Sequence, residues 1–140
     1  FHPLVREIIA QTPVDDIIRS DSSDRQRLAA WHQDRGCLLG DAAHATTPNL
    51  GQGGCQGVED AYYIANILAE TENPQAAFRR FQAVRRDKVD YVVNTSWRLG
   101  QLAHSRLGQP LAKLLLRLTP ERMVEKQMRE LYALDETFGA

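Results

Sequence analysis

Apolar residues recur at steps of three and four along much of this chain, a spacing typical of amphipathic helices. Four of them share one side of the first such segment: Leu4, Val5, Ile8 and Ile9. Pro3 falls in the first turn, where proline is tolerated, and Pro13 follows the last apolar position. The spacing therefore predicts a helix over residues 3–11.

Two shorter segments have strand character. Residues 14–20 have a β-branched centre at Ile17 and Ile18, and Gly36 introduces the run CLLG, residues 37–40. Runs of this kind are typical of a strand and of a short buried strand, respectively. The polar stretch between them, residues 21–24, predicts a turn.

Helical spacing returns after residue 57 and continues almost to the end. The first of these helices is expected to bury Val58, Ala61, Ala65 and Leu68. Asn73-Pro74 predicts a helix start, with asparagine as the N-cap and proline in the first turn. The long helix that follows has these core candidates: Phe78, Phe81, Val89, Val92, Leu99 and Leu102. Gly100 lies inside it and predicts either a bend or a division into two helices.

Thr119-Pro120 repeats the start signal and predicts a last helix. Its expected core positions are Met123, Gln127, Leu131 and Leu134. The chain is thus predicted to be mainly α, with two or three short strands.

Composition and charge narrow the classes of function. Hydrophobic residues make up 43% and charged residues 25% of the 140 residues, and the formal net charge is −1. This balance gives no case for nucleic acid as a partner, and no apolar run is long enough for an integral membrane span. Cys37 and Cys55 form no disulfide framework, so we expect buried free thiols and a cytoplasmic location. The four histidines do not pair with cysteines at zinc-ligand spacing, so no metal site is expected.

The chemistry is concentrated in residues 38–61, LLGDAAHATTPNLGQGGCQGVEDA. A strand delivers Asp41 at its end, Pro48 follows in a loop, and glycines then lead into a helix. Glycines let a ligand approach the backbone, and a helix N-terminus offers free N–H donors, so the segment predicts a site for an anion or polar oxygens. Gln56 occupies the position of the third glycine of a dinucleotide fingerprint, and no Gly-Lys-Ser/Thr follows, so both phosphate-loop motifs are excluded.

The pattern GDAAH-x3-P-x2-GQG-x3-G-x-EDA resembles the flavin-contact motif of FAD-dependent aromatic hydroxylases, the para-hydroxybenzoate hydroxylase superfamily. It is most similar to the branch with zeaxanthin epoxidase, urate hydroxylase and salicylate-type hydroxylases. The resemblance implies that Asp41 accepts hydrogen bonds from the flavin ribityl group and that Pro48 lies beside the reactive edge of the ring. The flavin-contacting residues it implies are Asp41, Pro48, Leu50, Gly51, Gln52, Gly53 and Gly54.

The same resemblance implies a reaction. NAD(P)H reduces FAD, and oxygen then forms a C4a-hydroperoxide that transfers one oxygen atom to a small aromatic or other electron-rich substrate. The family's first motif, GxGxxG after a strand, and its Asp-Gly motif are both missing from this chain. The chain also opens on Phe1. We therefore expect the C-terminal fragment of an α/β, Rossmann-like FAD-binding fold, partnered by a missing N-terminal part and able to form a homo-oligomer.

The expected organisation is a single unit, 1–140. Residues 1–35 would be the exit of a substrate domain, 36–72 the flavin-contact strand-loop-helix and 73–140 the C-terminal helices. The alternative is a non-catalytic helical interaction module or a truncated remnant of such an enzyme; an upstream GxGxxG would favour the enzyme.

Other polar and aromatic residues have two interpretations each. We expect His44 to orient the loop rather than act as a base, and Glu59 and Asp60 to be structural. A basic cluster on the next helix is interpreted as a solvated face, or alternatively as a contact to the pyridine nucleotide or a neighbouring domain: Arg79, Arg80, Arg85, Arg86 and Lys88. For Tyr62, Tyr63 and Trp97, core packing is favoured over a substrate pocket.

Overall fold

A computed structural model of the chain describes residues 2–19, 26–105 and 108–134, with the backbone only at 111–113, 115 and 116. Its helices are α1 (Pro3–Gln11), α2 (Asp41–His44), α3 (Gly53–Ala69), α4 (Pro74–His104), α5 (Gly108–Leu118) and α6 (Glu121–Tyr132), and its strands are β1 (His32–Gln33) and β2 (Gly36–Cys37). The predicted class, mainly α with short strands, is confirmed, as is the helix over 3–11. No helix among the described residues is long and apolar enough to cross a membrane.

The two strands form one small antiparallel hairpin. His32 pairs with Cys37 and Gln33 with Gly36, and Asp34 turns the chain with a φ of 49°. The predicted buried strand over 37–40 is wrong beyond Cys37, because Leu38 is 40% exposed and Gly40 already turns with a φ of 53°. The hairpin ends where the backbone must turn into α2.

The strand predicted over 14–20 is also wrong where the structure describes it. Val14–Asp16 is a 3₁₀ turn, and Ile18 is 91% exposed. A strand needs a partner for its backbone groups, and among the described residues the hairpin is the only sheet. The predicted turn at 21–24 lies outside the described residues.

Helix α3 ends close to its predicted end but begins earlier, at Gly53, and it buries the opposite face. Val58 is 72% exposed and Leu68 42% exposed, whereas Ile67 is fully buried. The buried side comprises Gln56, Glu59, Asp60, Tyr63, Ile64 and Ile67. Polar residues lie inside because α4 places a buried arginine opposite them, which helical spacing of apolar residues cannot reveal.

Helix α4 forms the other half of the core. The Asn73 side chain accepts a hydrogen bond from the Ala76 N–H at 3.0 Å, which confirms the predicted cap. The helix continues unbroken through Gly100, so the division into two helices is excluded. Four of its predicted core residues are buried, but Leu99 is 40% exposed. The buried ones are Phe78, Phe81, Val89 and Val92.

Only the end of α6 joins this core. The helix begins with Pro120 as its N-cap residue and no side-chain capping bond, so Thr119 is not the cap. Leu131 is 8% exposed, but Met123 is 55% and Leu134 43% exposed, and Gln127 also faces solvent. Of the four predicted core positions, only Leu131 is buried, because only the last turn of α6 reaches the two long helices.

Candidate functional site

The glycine-rich loop lies between the hairpin and α3. Gly40 has a φ of 53°, α2 follows as a single turn, and Pro48–Leu50 form a 3₁₀ turn. Gly51 then has a φ of 65°, which admits glycine and disfavours other residues. Two left-handed glycines thus begin and end the loop that leads into α3.

The N-terminus of α3 is uncapped. The first hydrogen bond into the helix runs from the Gln56 N–H to the Gln52 carbonyl at 3.0 Å, so the N–H groups of residues 53–55 precede the helical ladder. The N-cap residue, Gln52, makes no side-chain capping bond to them, and the first turn carries no acidic residue. These donors and the positive end of the helix dipole are suited to a ligand oxygen with negative charge.

The loop leaves room for such a ligand. A Cβ added to Gly51 or Gly54 would meet nothing within 4 Å, and one at Gly53 would lie 3.9 Å from Asp41 Oδ1. Asp41 and Pro48 are both exposed. An acceptor carboxylate therefore adjoins a set of backbone donors on an open surface.

Gln52 adds an unsatisfied acceptor at the same place. Its side chain is 1% exposed, and its Oε1 has no hydrogen-bond partner among the described residues. Buried polar atoms are normally paired, and exceptions call for an explanation. Leu50 beside it is half-buried. Open glycines, free donors and an orphaned acceptor together fit a large polar ligand such as a flavin.

Behind the loop lies a buried-ion cluster, which we define as Arg85, Asp60, Glu59, Gln56 and His44. Arg85 is 1% exposed. Its Nε donates to Asp60 Oδ1 at 2.8 Å, its Nη1 to Glu59 Oε2 at 2.6 Å and its Nη2 to Gln56 Oε1 at 2.8 Å. One arginine of α4 thus binds two successive turns of α3.

Asp60 connects this cluster to the loop. Its Oδ2 accepts from the Gly40 N–H at 2.9 Å and lies 2.6 Å from His44 Nε2. Burial alone would raise the pKa of Asp60, but hydrogen bonds from His44, Arg85 and Gly40 outweigh it and hold the pKa below its usual value. His44 therefore orients the loop, and Glu59 and Asp60 are structural, as the sequence predicted.

The basic cluster on α4 is only partly a solvated face. Arg79 and Arg80 are exposed as predicted, but the interpretation is wrong for Arg85 and Arg86. The Arg86 guanidinium lies 4.4 Å from the Trp31 ring centroid and donates to the Leu28 carbonyl at 2.8 Å. Burial lowers its pKa despite the carboxylate of Asp90. These arginines join parts of this chain, a role their sequence clustering does not reveal.

Lys88 of the same cluster bridges to the C-terminal helix. Its Nζ donates to Glu59 Oε1 at 2.9 Å and to the Ala133 carbonyl at 2.7 Å. The last turn of α6 is thereby held beside the buried-ion cluster.

The burial predicted for the aromatic residues and the cysteines is found for some of them and not for others. Tyr63 is buried in the core, as expected, but Tyr62 is 39% and Trp97 51% exposed. Cys55 is exposed, against the expectation of a buried thiol, and Cys37 is half-buried. Burial raises the pKa of the Cys37 thiol, as does the negative charge of Asp60. Among the described residues, no group of His, Cys, Asp and Glu could hold a metal ion.

Two residues that hold the loop, Ser96 and Gly100, were not predicted from the sequence to do so. Ser96 is fully buried against Thr47, and Gly100 lies against Asn49. The signal available was a pair of small residues four apart on a helix, which places them on one face. Only the structure shows that this face meets the loop.

The chain is similar in sequence to proteins that use FAD. The family described as FAD binding domain matches residues 2–95. The aurachin C monooxygenase/isomerase of Stigmatella aurantiaca is 45% identical over 102 residues, covering 73% of this chain and 27% of that protein. The FAD-dependent urate hydroxylase of Klebsiella pneumoniae is 33% identical over 104 residues, covering 74% of this chain and 27% of that protein.

A solved structure matches the fold. Klebsiella pneumoniae HpxO complexed with FAD and uric acid superposes with a TM-score of 0.80 at 28% identity, covering 92% of this chain and 34% of that one. The chain thus spans about a quarter of the length of the two curated relatives and about a third of this structure.

Proposed function

The chain belongs to the FAD binding domain family, and from that membership we propose that it forms the flavin-contacting part of an FAD-dependent monooxygenase. The observation that carries the proposal is the uncapped N-terminus of α3, open at Gly51 and Gly54 and flanked by the exposed residues Asp41 and Pro48. Backbone donors, an acceptor carboxylate and free space are what a flavin ring with its ribityl chain requires.

Each residue has a role in the proposed site. Asp41 accepts hydrogen bonds from ribityl hydroxyls, and Pro48 lies beside the reactive edge of the ring. The backbone of residues 50–54 faces the polar edge of the ring, where the positive end of α3 stabilises negative charge by about 0.3–2 kcal/mol.

We propose that other residues, outside these 140, hold the ADP half of FAD and the substrate. When bound, FAD supplies the redox chemistry that activates oxygen. NAD(P)H is the proposed reductant, and a small aromatic or other electron-rich organic molecule the proposed substrate. Two free cysteines and no disulfide support a cytoplasmic location.

The test uses the complete gene product that contains these residues. We expect it to purify yellow, or to become yellow with added FAD, and to oxidise NADH or NADPH when an electron-rich substrate and oxygen are present. In Asp41→Ala, loss of a charged hydrogen-bond acceptor costs about 1.5–3 kcal/mol, which weakens FAD binding about 10- to 100-fold.

Asp15→Ala is the matched control, because Asp15 is an exposed aspartate in the separate 3₁₀ turn Val14–Asp16. FAD affinity should be the same in this variant as in the parent protein. A gene product that stays colourless in excess FAD would contradict the proposed function. An unchanged FAD affinity in Asp41→Ala would contradict only the assignment of Asp41.

A further inference from the structure

The tip of the glycine-rich loop is held against α4 by a directional set of hydrogen bonds. Ser96 Oγ donates to the Thr47 carbonyl at 2.6 Å, and the two hydroxyls lie 2.9 Å apart. The one hydroxyl hydrogen of Ser96 is donated to the Thr47 carbonyl. In the hydrogen bond between the two hydroxyls, Thr47 Oγ1 is therefore the donor and Ser96 Oγ the acceptor. Asn49 Nδ2 donates to Thr47 Oγ1 at 3.0 Å and to the Ser96 carbonyl at 3.1 Å.

Gly100 makes room for this arrangement one helical turn further along. A Cβ at Gly100 would lie 2.5 Å from Asn49 Nδ2 and 3.3 Å from its Cγ. The first distance is too short for nonbonded atoms, so an alanine would displace the Asn49 amide from both of its acceptors. The glycine is therefore needed for the close approach of Asn49 to α4.

The residues held in this way are the two neighbours of Pro48. Thr47 and Asn49 are tied to α4, whereas Pro48 between them is exposed. Ser96 is fully buried, so its hydroxyl is committed to the loop. The position of Pro48 is thus determined by two small residues on a neighbouring helix and not by the loop sequence alone.

We propose that Ser96 and Gly100 are positioning residues that set where Pro48 stands against the bound flavin. The proposal rests on the proposed function for its consequence, but the hold on the loop is a property of the chain itself. Neither residue touches the cofactor; both act through Thr47 and Asn49.

The first measurement is amide hydrogen exchange of residues 45–51, followed by mass spectrometry of the gene product without FAD. Ser96→Ala and Gly100→Ala should each lose protection in this segment, about 2- to 10-fold, as expected for one or two lost hydrogen bonds. Arg98→Ala is the control, since Arg98 is an exposed residue of the same helix. Unchanged protection in both variants would overturn the proposal.

The second measurement tests the role toward flavin. Gly100→Ala should shift the visible flavin absorption bands and weaken FAD binding about 2- to 10-fold while the melting temperature does not fall, since alanine favours a helix. In an Asn49→Ala background, Gly100→Ala should weaken FAD binding less than about twofold, because the Asn49 amide that the new Cβ would meet has been removed. An equal loss of FAD affinity from Gly100→Ala in both backgrounds would overturn the proposal.

The outcomes separate the two claims. Lost protection together with a gene product that takes up no FAD would contradict the proposed function and, with it, the role of Ser96 and Gly100 toward flavin. A yellow product whose bands and affinity are indifferent to Gly100→Ala would overturn this inference alone.

Discussion

Asp60 is the residue at which the loop, α3 and α4 meet. Its two carboxylate oxygens accept from Arg85, the Gly40 N–H and the His44 ring, and the residue is fully buried. A buried carboxylate is costly unless every oxygen is paired. Here each is paired, which offsets the cost of burying the charge in this arrangement of the loop.

The charge of Asp60 makes stability depend on pH in a definite direction. The folded-state pKa of Asp60 is lower than normal because hydrogen bonds from His44, Arg85 and Gly40 outweigh the effect of burial. The unfolded chain, with a pKa of about 3.9, therefore binds the proton more tightly. The contribution of Asp60 to stability is complete above that value and is lost as the pH falls through the lower folded value.

We predict that the free energy of unfolding, measured by urea titration at several pH values, falls more steeply below about pH 4 in the parent chain than in Asp60→Asn. Asp15→Asn, at an exposed aspartate, should keep the parent slope. Identical slopes for the parent and Asp60→Asn would show that this carboxyl does not titrate as described.

At the scale of elements, α3 and α4 are joined by polar as well as apolar contacts. Ile67 and Phe81 are fully buried, and beside them Arg85 spans Gln56, Glu59 and Asp60. The pairing fixes rotation of α3 about its axis, since a turned helix would leave the guanidinium without acceptors. It thereby aims the uncapped N-terminus of α3 at the loop's open side.

Replacing Arg85 should strongly destabilise the fold. We predict that Arg85→Met, which keeps most of the volume, lowers the free energy of unfolding by about 3–5 kcal/mol, because Asp60 and Glu59 then lose a buried partner. Chemical denaturation followed by circular dichroism measures this. Arg79→Met, at an exposed position of the same helix, should change it by less than about 0.5 kcal/mol. A loss below about 1 kcal/mol for Arg85→Met would argue against the cluster's importance.

At the scale of the whole molecule, much apolar surface stays uncovered. Helix α1 has no buried residue, and Leu4, Ile8 and Ile9 are each more than half exposed. Val58 of α3 and Met123 of α6 are likewise exposed. The apolar residues of α1 share one side of the helix, and an exposed apolar patch of this kind marks an interaction surface.

We predict that the 140-residue chain self-associates and that Ile8→Ser with Ile9→Ser reduces the association seen in sedimentation velocity. Since α1 buries nothing, the free energy of unfolding should change by less than about 0.5 kcal/mol. Arg6→Ser with Glu7→Ser, on exposed polar positions of the same helix, is the control. A monomeric parent chain, or a loss of stability above about 1 kcal/mol, would contradict this account of α1.

Local signals predicted what depends on local chemistry. The start of α4 at Asn73-Pro74 and the extent of α1 between two prolines both hold, because caps and prolines act within a few residues. The motif over residues 38–61 is local in the same sense, since its glycines and its aspartate are close in sequence, and its contacts with flavin stay a prediction.

The tertiary structure determined the features that depend on the surface against which each element packs. Spacing could not tell which face of α3 is buried, because the guanidinium that makes Asp60 an inside residue comes from 25 positions further along the chain. Nor could it show that residues 14–16 form a 3₁₀ turn, or that Gly100 lies against Asn49. Helix rotation, strand pairing and close approach are set by the partner surface, and that surface exists only once the chain has folded.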